Sequence, residues 1–182
     1  MNAFNRHLAF AGLALGIGLP LYVSADSSLD SAKASGPTTV SKADIEFLGN
    51  AAQTNMTEIQ AAAIAANRGL TAQTKAFANQ MTTDHSENSN DLRTLAASKG
   101  VMLPTRLDSK HQDKLDDLQK IDTKKFDAAY AEAMADGHKD VVSMYEKAAK
   151  KTKDADIRSF ALSNLPVLRQ HLDLAKQMDE KS

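Results

Sequence analysis

An acid and an imidazole stand side by side in the segment Met81-Thr82-Thr83-Asp84-His85, in the middle of an apolar stripe with helical spacing. Glu58, His138 and His171 interrupt three other stripes of the same kind. The chain has no cysteine, so any metal must be held by imidazole, carboxylate or thioether groups. These donors suit a transition-metal ion and do not select among Zn, Cu, Fe, Mn and Ni. The predicted metal ligands are Glu58, Asp84, His85, His138 and His171.

A second interpretation of the same residues needs no metal. A charged or amide group in the core of a helix bundle is strongly destabilising unless it finds a partner. Asp84 or Glu58 could accept hydrogen bonds from the histidines, and three amides could complete the network. These amides are Asn55, Asn88 and Asn164. Such a network would fix the register of the helices without binding anything.

A di-iron redox centre of the usual kind is disfavoured by the spacing around the histidines. Ferritin-like di-iron sites need Glu-x-x-His pairs on two helices. Here Thr82 stands three residues before His85, and Leu168 stands three residues before His171. Too few carboxylates remain to hold two irons. A redox enzyme with a His-rich centre is therefore the third and least favoured hypothesis.

Two methionines offer another donor set. Met81 precedes His85 by four residues, and Met134 precedes His138 by four, so each pair lies on one helical face. Thioether and imidazole together would suit a soft ion such as Cu(I). Methionine side chains that fill gaps between helices explain the same spacing, and this is the favoured interpretation.

Four long segments repeat apolar residues at alternating spacings of three and four, the period of one face of an α-helix. The first segment ends at Arg68, where Gly69 is expected to supply a left-handed exit, and the second ends at Gly100. The third begins near Asp122, and the fourth follows the polar turn Lys150–Asp154. The sequence therefore predicts an all-α fold with four long helices.

The connection between the second and third long helices is too long for a hairpin. It runs from Gly100 to Ile121 and contains a short amphipathic helix around Asp108–Leu118. The other two connections are short and must join antiparallel neighbours. Two hairpins joined by a long crossover define a ferritin-like antiparallel four-helix bundle, in which the second and third long helices run parallel.

In such a bundle, the candidate glutamate and the three histidines fall within about five residues of one level, or roughly 7 Å. A plain up-and-down connection also places them near mid-height, so the spacing leaves the topology open. Asp84 and Tyr145 are candidate partners for the second ring nitrogen of a ligating histidine. A competing apolar stripe on the fourth helix would leave His171 at the edge of the core. That stripe runs through Leu165, Leu168 and Leu172.

The N-terminal residues are typical of an export signal. An apolar run from Leu8 to Tyr22 follows a basic residue and ends in Val23-Ser24-Ala25, which predicts a signal peptide over 1–25. The run is shorter than the roughly twenty residues of a spanning helix, so no stable transmembrane anchor is expected after cleavage. Residues 26–40 are a predicted flexible leader, and 41–181 the bundle. The protein is therefore predicted to be periplasmic or otherwise exported.

The charge balance argues against a nucleic-acid partner. The chain has 22 basic and 23 acidic residues and a formal net charge of -1, whereas nucleic-acid binders concentrate Lys and Arg on one face. No Gly-rich phosphate loop, nucleophile elbow or Ser/His/Asp set is present, so no catalytic residue is predicted. Envelope association and a homo-oligomer are both compatible with this composition.

Three segments resemble a bacterial envelope family known as domain of unknown function 4142. They are Phe77–His85 with its Met-x-x-Asp-His element, Phe126–Tyr130 followed by His138, and Leu165–Leu172 with its Leu-Pro-x-Leu-x-x-His element. The resemblance covers about residues 41–178. It implies a ferritin-like bundle in an exported or outer-membrane-associated protein and implies no activity. The positions similar to the family's hallmark residues are Glu58, Asp84, His85, His138 and His171.

These observations rank three functions. The first is a non-enzymatic exported bundle that binds a metal ion or small ligand at the layer in mid-bundle, with a role in stress tolerance. The second is a structural or interaction protein whose buried polar layer only fixes helix register. The redox enzyme is the third.

Overall fold

The computed structural model describes residues 40–180, which form five α-helices and no strand. The helices are α1 (Lys42–Arg68), α2 (Ala72–Ser98), α3 (Ser109–Lys120), α4 (Phe126–Lys151) and α5 (Ala155–Asp179), with one 3-10 turn at Thr123–Lys125. The predicted all-α fold is confirmed. The expected signal peptide, and the expected leader apart from Val40, lie outside the described residues. None of the helices between residues 40 and 180 is both long and apolar enough to cross a membrane.

Two apolar clusters show how the four long helices run. One cluster joins the C-terminal halves of α1 and α5 to the N-terminal halves of α2 and α4, and the other joins the opposite halves. The first includes Ala65, Phe77, Tyr130 and Ala175, and the second includes Leu48, Leu92, Tyr145 and Ala161. Because α2 and α4 begin at the same end, they run parallel. The predicted ferritin-like bundle with a crossover is therefore confirmed, and the up-and-down alternative is wrong.

The crossover carries α3 along the outside of α1 and α4. Leu115 and Leu118 of α3 are buried in the first cluster. The side chain of Gln53 holds the start of α3, since its Nε2 donates to Arg106 O at 3.0 Å and its Oε1 accepts from Asp108 N at 3.2 Å. Arg68 holds the other end by donating to backbone carbonyls there, including that of Gln119 at 2.7 Å.

Gly69 does not adopt the left-handed conformation that the sequence suggested. Its φ of -56° and ψ of 136° are open to any residue, so that expectation is wrong. The constraint is steric, because a Cβ at this position would stand 2.7 Å from Ala65 O and 2.8 Å from Thr74 Cγ2. The glycine therefore allows the close return of α2 against the end of α1. A left-handed glycine does follow α2, at Gly100 with a φ of 66°.

Replacing Gly69 by alanine is expected to destabilise the protein by about 1–3 kcal/mol, because the added methyl group overlaps a backbone oxygen. Gly49→Ala is the matched control. Gly49 lies within α1, and an added Cβ there meets no atom within 4 Å. That control should stabilise the protein by about 0.5–1 kcal/mol through helix propensity. Urea unfolding curves measure both values, and equal stabilities of the two variants would contradict the steric argument.

Candidate metal centre

A polar layer separates the two apolar clusters at mid-height. Each long helix contributes one side chain to it, namely Glu58 from α1, His85 from α2, His138 from α4 and His171 from α5. Their exposed fractions are 4%, 2%, 0% and 0%. The ring centroids of the three histidines lie 5.3 to 5.7 Å apart. The structure thus brings together these four of the five predicted ligands, and the stripe that would leave His171 at the edge of the core is wrong.

Each histidine uses one ring nitrogen to reach a nearby oxygen. His138 Nδ1 lies 2.9 Å from the backbone oxygen of Met134, and His171 Nε2 lies 2.8 Å from Asp84 Oδ2. A backbone carbonyl and a carboxylate can only accept, so these two nitrogens carry the protons. The other nitrogen of each ring, His138 Nε2 and His171 Nδ1, then presents a lone pair when the imidazole is neutral.

A chain of three amides determines the orientation of His85. Asn164 Nδ2 donates to Phe160 O at 2.8 Å, and because that carbonyl can only accept, the Oδ1 of Asn164 must face the next amide. Asn88 Nδ2 donates to this Oδ1 at 2.5 Å, and Asn55 Nδ2 donates to Asn88 Oδ1 at 2.6 Å. Asn55 Oδ1 is thereby turned toward His85 Nδ1, 3.0 Å away. His85 Nδ1 is therefore the donor, and its Nε2 faces the layer.

The remaining ring nitrogens are buried and lack hydrogen-bond partners. His85 Nε2, His138 Nε2 and His171 Nδ1 are all buried without such a partner among the described residues. One ring nitrogen from each histidine lies within 4.8 Å of the others. A buried polar atom left unsatisfied costs about 1–3 kcal/mol, so three in one place call for an explanation. A triad of this kind could hold a metal ion.

Glu58 completes the layer with a carboxylate. Its Oε2 lies 2.9 Å from His85 Nε2, yet the two atoms are poorly aligned for a hydrogen bond and neither has another partner among the described residues. Its Oε1 lies 3.6 Å from His138 Nδ1. The carboxylate therefore stands beside His85 Nε2, at the distance at which a shared cation or a shared proton would join them, whereas its contact with His138 is to the nitrogen that donates to Met134 O.

Burial and charge set the protonation states in the layer. Burial alone would raise the pKa of Glu58, but His85, His138 and, more weakly, His171 outweigh it and lower that pKa to about 2. Burial lowers the pKa of His171 to about 4, against the opposing effect of Asp84. Burial also lowers the pKa of His138, although Glu58 opposes the shift. At neutral pH the carboxylate is ionised and both of these imidazoles are neutral, which are the forms that bind metal.

Asp84 stands outside the layer and supports it. Its side chain is 27% exposed and bonds to His171, so the structure gives it the role of a histidine partner, which the sequence also suggested. Tyr145 does not take the same role, because its hydroxyl donates to Asn88 Oδ1 at 3.4 Å. The partner of His138 is the backbone carbonyl of Met134, and a backbone group cannot be identified from a pattern of side-chain types.

These features define a class, a ferritin-like four-helix bundle with a crossover and a buried histidine triad. The chain belongs to the family described as Domain of unknown function (DUF4142), whose profile matches residues 29–178. The fold is similar to the crystal structure of a DUF305 fragment from Deinococcus radiodurans, with a TM-score of 0.71 and 10% identity over 80% of this chain and 100% of that one. A search of curated proteins gives no match.

Proposed function

We propose that this protein is a non-enzymatic metal-binding protein that holds one divalent transition-metal ion in the polar layer. The proposed ligands are His85 Nε2, His138 Nε2, His171 Nδ1 and the carboxylate of Glu58. One observation carries the proposal: in a buried triad of histidines beside a carboxylate, one nitrogen of each ring has no hydrogen-bond partner among the described residues, and the opposite nitrogen lies against an oxygen acceptor. Metal-bound histidines typically have such a partner.

The donor set and its dimensions fit a four-coordinate ion. Three neutral imidazoles and one carboxylate suit Zn(II), and imidazole also suits Cu, Fe and Ni. Metal to ligand bonds of about 2.0–2.1 Å place tetrahedral donors roughly 3.4 Å apart. One nitrogen of each histidine lies within 4.8 Å of the others, so these nitrogens have to close in by at most roughly 1.4 Å, within the reach of small ring rotations. Four protein ligands close the coordination sphere, which is typical of structural rather than catalytic sites.

We place this binding activity in the cell envelope. The proposal rests on the apolar run and the Val23-Ser24-Ala25 pattern of the N-terminal residues, which are typical of a cleaved export signal. A periplasmic bundle that retains one metal ion would contribute to stress tolerance by limiting the free ion. N-terminal sequencing of the protein recovered from the periplasm tests the location, with Asp26 as the expected first residue. Recovery of the intact chain from the cytoplasm alone would refute it.

Metal stoichiometry is the direct test of the proposed site. The purified protein is stripped with a chelator, dialysed against Zn(II), Cu(II), Ni(II), Fe(II) or Mn(II) in turn, and analysed for bound metal. About one ion per chain is expected for at least one of these metals, and His85→Ala should remove it. His111→Ala is the matched control, because His111 belongs to α3, pairs with Asp108 at 2.7 Å and is not one of the three clustered histidines. Equal metal content in the two variants would exclude the site.

A register-fixing network is the second candidate function, and two contacts favour it. The amide chain from Asn55 through Asn88 to Asn164 links three helices without any ion. A proton on His85 Nε2, together with a small rotation of the ring, would also join it to Glu58, 2.9 Å away. In this case the stripped protein would bind none of the five metals. His85→Ala would then lower the free energy of unfolding and have no effect on metal content.

Asp84 is expected to strengthen metal binding through His171 without contacting the ion. Asp84→Ala should weaken Zn(II) binding about 10–100-fold, because His171 then loses the partner that orients its ring. Asp84→Asn keeps an oxygen acceptor and should recover most of the affinity. Asp91→Ala is the control, since Asp91 is an exposed residue of the same helix. Competition with a coloured Zn(II) chelator measures the affinities of these variants, of His171→Ala and of the wild type, and a loss in Asp84→Ala as large as that caused by His171→Ala would make Asp84 a ligand itself.

A further inference from the structure

A cleft of about 600 Å³ opens between α1, α3 and α4 and reaches the polar layer. Its walls are largely apolar, with Ala61, Leu115, Leu118 and Met134 among them. Of the four proposed ligands, Glu58 lines this cleft and the three histidines do not. The crossover helix α3 forms the outer wall, held in place by Gln53 at one end and Arg68 at the other. The carboxylate of Glu58 therefore stands between the cleft and the histidine nitrogens.

Gly137 lies on the wall of this cleft, inside α4. Glycine is unfavourable in the interior of a helix, and the packing does not require it here. A Cβ at this position would meet one atom within 4 Å, Glu58 Oε1 at 3.8 Å, which is an ordinary contact. The missing side chain instead leaves open space directly over the Glu58 carboxylate. A larger residue would grow into that space.

We infer that this cleft is the route by which a metal ion enters and leaves the layer, with Glu58 as the first ligand it meets and Gly137 keeping the route open. The inference rests on the proposed function. An ion that enters here meets an ionised carboxylate before any imidazole. Glu58 is then the ligand that water replaces when the ion enters or leaves. The histidines stay in position, because each is held by a hydrogen bond through its other ring nitrogen.

Shape rather than charge defines this route. Besides Glu58, four acids and two lysines line the cleft, but lysines outside it offset two of these four acids. Asp117 pairs with Lys120 at 3.1 Å, and Asp136 pairs with Lys139 at 2.8 Å. The mouth therefore carries little net charge and neither attracts nor repels a divalent cation strongly. A steric change at Gly137 should for this reason have a larger effect on ion entry than any single charge change at the mouth.

The test measures rates separately from affinity. Metal-stripped full-length protein is mixed with Zn(II) in a stopped-flow instrument, and release is followed into excess chelator. Gly137→Leu is expected to slow loading and release at least tenfold each and to change the equilibrium affinity less than threefold, because a blocked route affects both directions alike. Gly137→Ala should stay within about twofold of the wild type. Gly49→Leu is the matched control, placed in a helix at a position with no neighbour within 4 Å.

The outcomes separate the route from the site. A wild-type protein that binds Zn(II), with Gly137→Leu loading at the wild-type rate, would overturn the route and leave the proposed function standing. A wild-type protein that binds no metal would overturn the proposed function itself. If Gly137→Leu fails to fold by circular dichroism, Ala133→Phe decides, because Ala133 is exposed and lines the same cleft one turn earlier. Slowed loading in that variant would support the route, and unchanged loading would refute it.

Discussion

Saturating Zn(II) is expected to raise the melting temperature of the metal-stripped protein by about 10–15 °C. A ligand present at about 1,000 times its dissociation constant stabilises the folded state by about 4 kcal/mol, provided that it does not bind the unfolded chain. For a domain of this size each kcal/mol shifts the melting temperature by about 2–4 °C. The effect should be large because all four proposed ligands come from different helices, so unfolding disperses them.

Histidine substitutions identify the origin of this shift. In His85→Ala, His138→Ala and His171→Ala the metal-dependent increase should disappear, since each variant removes one of three imidazoles within 4.8 Å of one another. His111→Ala should retain the full increase. Differential scanning calorimetry with and without Zn(II) gives each value. The same increase in all four variants would show that Zn(II) stabilises the protein from somewhere other than the layer.

Metal-free protein is expected to lose about 3 kcal/mol of stability through His171 as the pH falls from 6.5 to 4. The pKa of this imidazole is 6.5 in the unfolded chain and about 4 in the folded one. Between these values the unfolded state binds a proton that the folded state excludes, so acid favours unfolding. The lowered pKa of His138 adds a loss of the same sign. Well above pH 6.5 both histidines are neutral in both states and contribute no pH dependence.

Glu58 extends the acid sensitivity to lower pH. Its folded pKa of about 2 lies below the ordinary 4.5, so it contributes stability above pH 4.5 that is lost as the pH falls toward 2. The free energy of unfolding, measured by urea titration in the presence of a chelator, should therefore fall in two successive ranges. His171→Leu should reduce the fall between pH 6.5 and 4 by about 3 kcal/mol, and His111→Ala should leave it unchanged. Parallel pH profiles for wild type and His171→Leu would contradict the proposed protonation state.

The helices and the level of the layer could be predicted because both depend on local spacing. Apolar residues at spacings of three and four define one helical face, and counting 1.5 Å per residue places the four polar side chains at one height. The direction of α4 could not be derived in this way. A connection as long as that between α2 and α4 permits either direction, and it is tertiary packing, such as that of Phe77 with Tyr130, that shows that both helices begin at the same end.

The roles within the candidate site were only partly predictable. Asp84 and His85 are adjacent in sequence and look equivalent as ligands, yet neighbouring residues on a helix point about 100° apart. His85 therefore faces the layer, whereas Asp84 turns to the boundary with α5 and bonds to His171. Which ring nitrogen of each histidine is free depends on rotamers and partners that exist only after the helices have packed.

By itself, the sequence determined that the chain forms four long helices and that each carries a glutamate or histidine on its apolar stripe near the middle, because helical periodicity and residue spacing are local properties. Only the tertiary structure decided that α2 and α4 run parallel, that the amide chain from Phe160 to Asn55 orients His85, and that a cleft under α3 reaches Glu58. These features depend on contacts between residues far apart in the chain, and the rotamers that direct the lone pairs are fixed only once the four helices have packed.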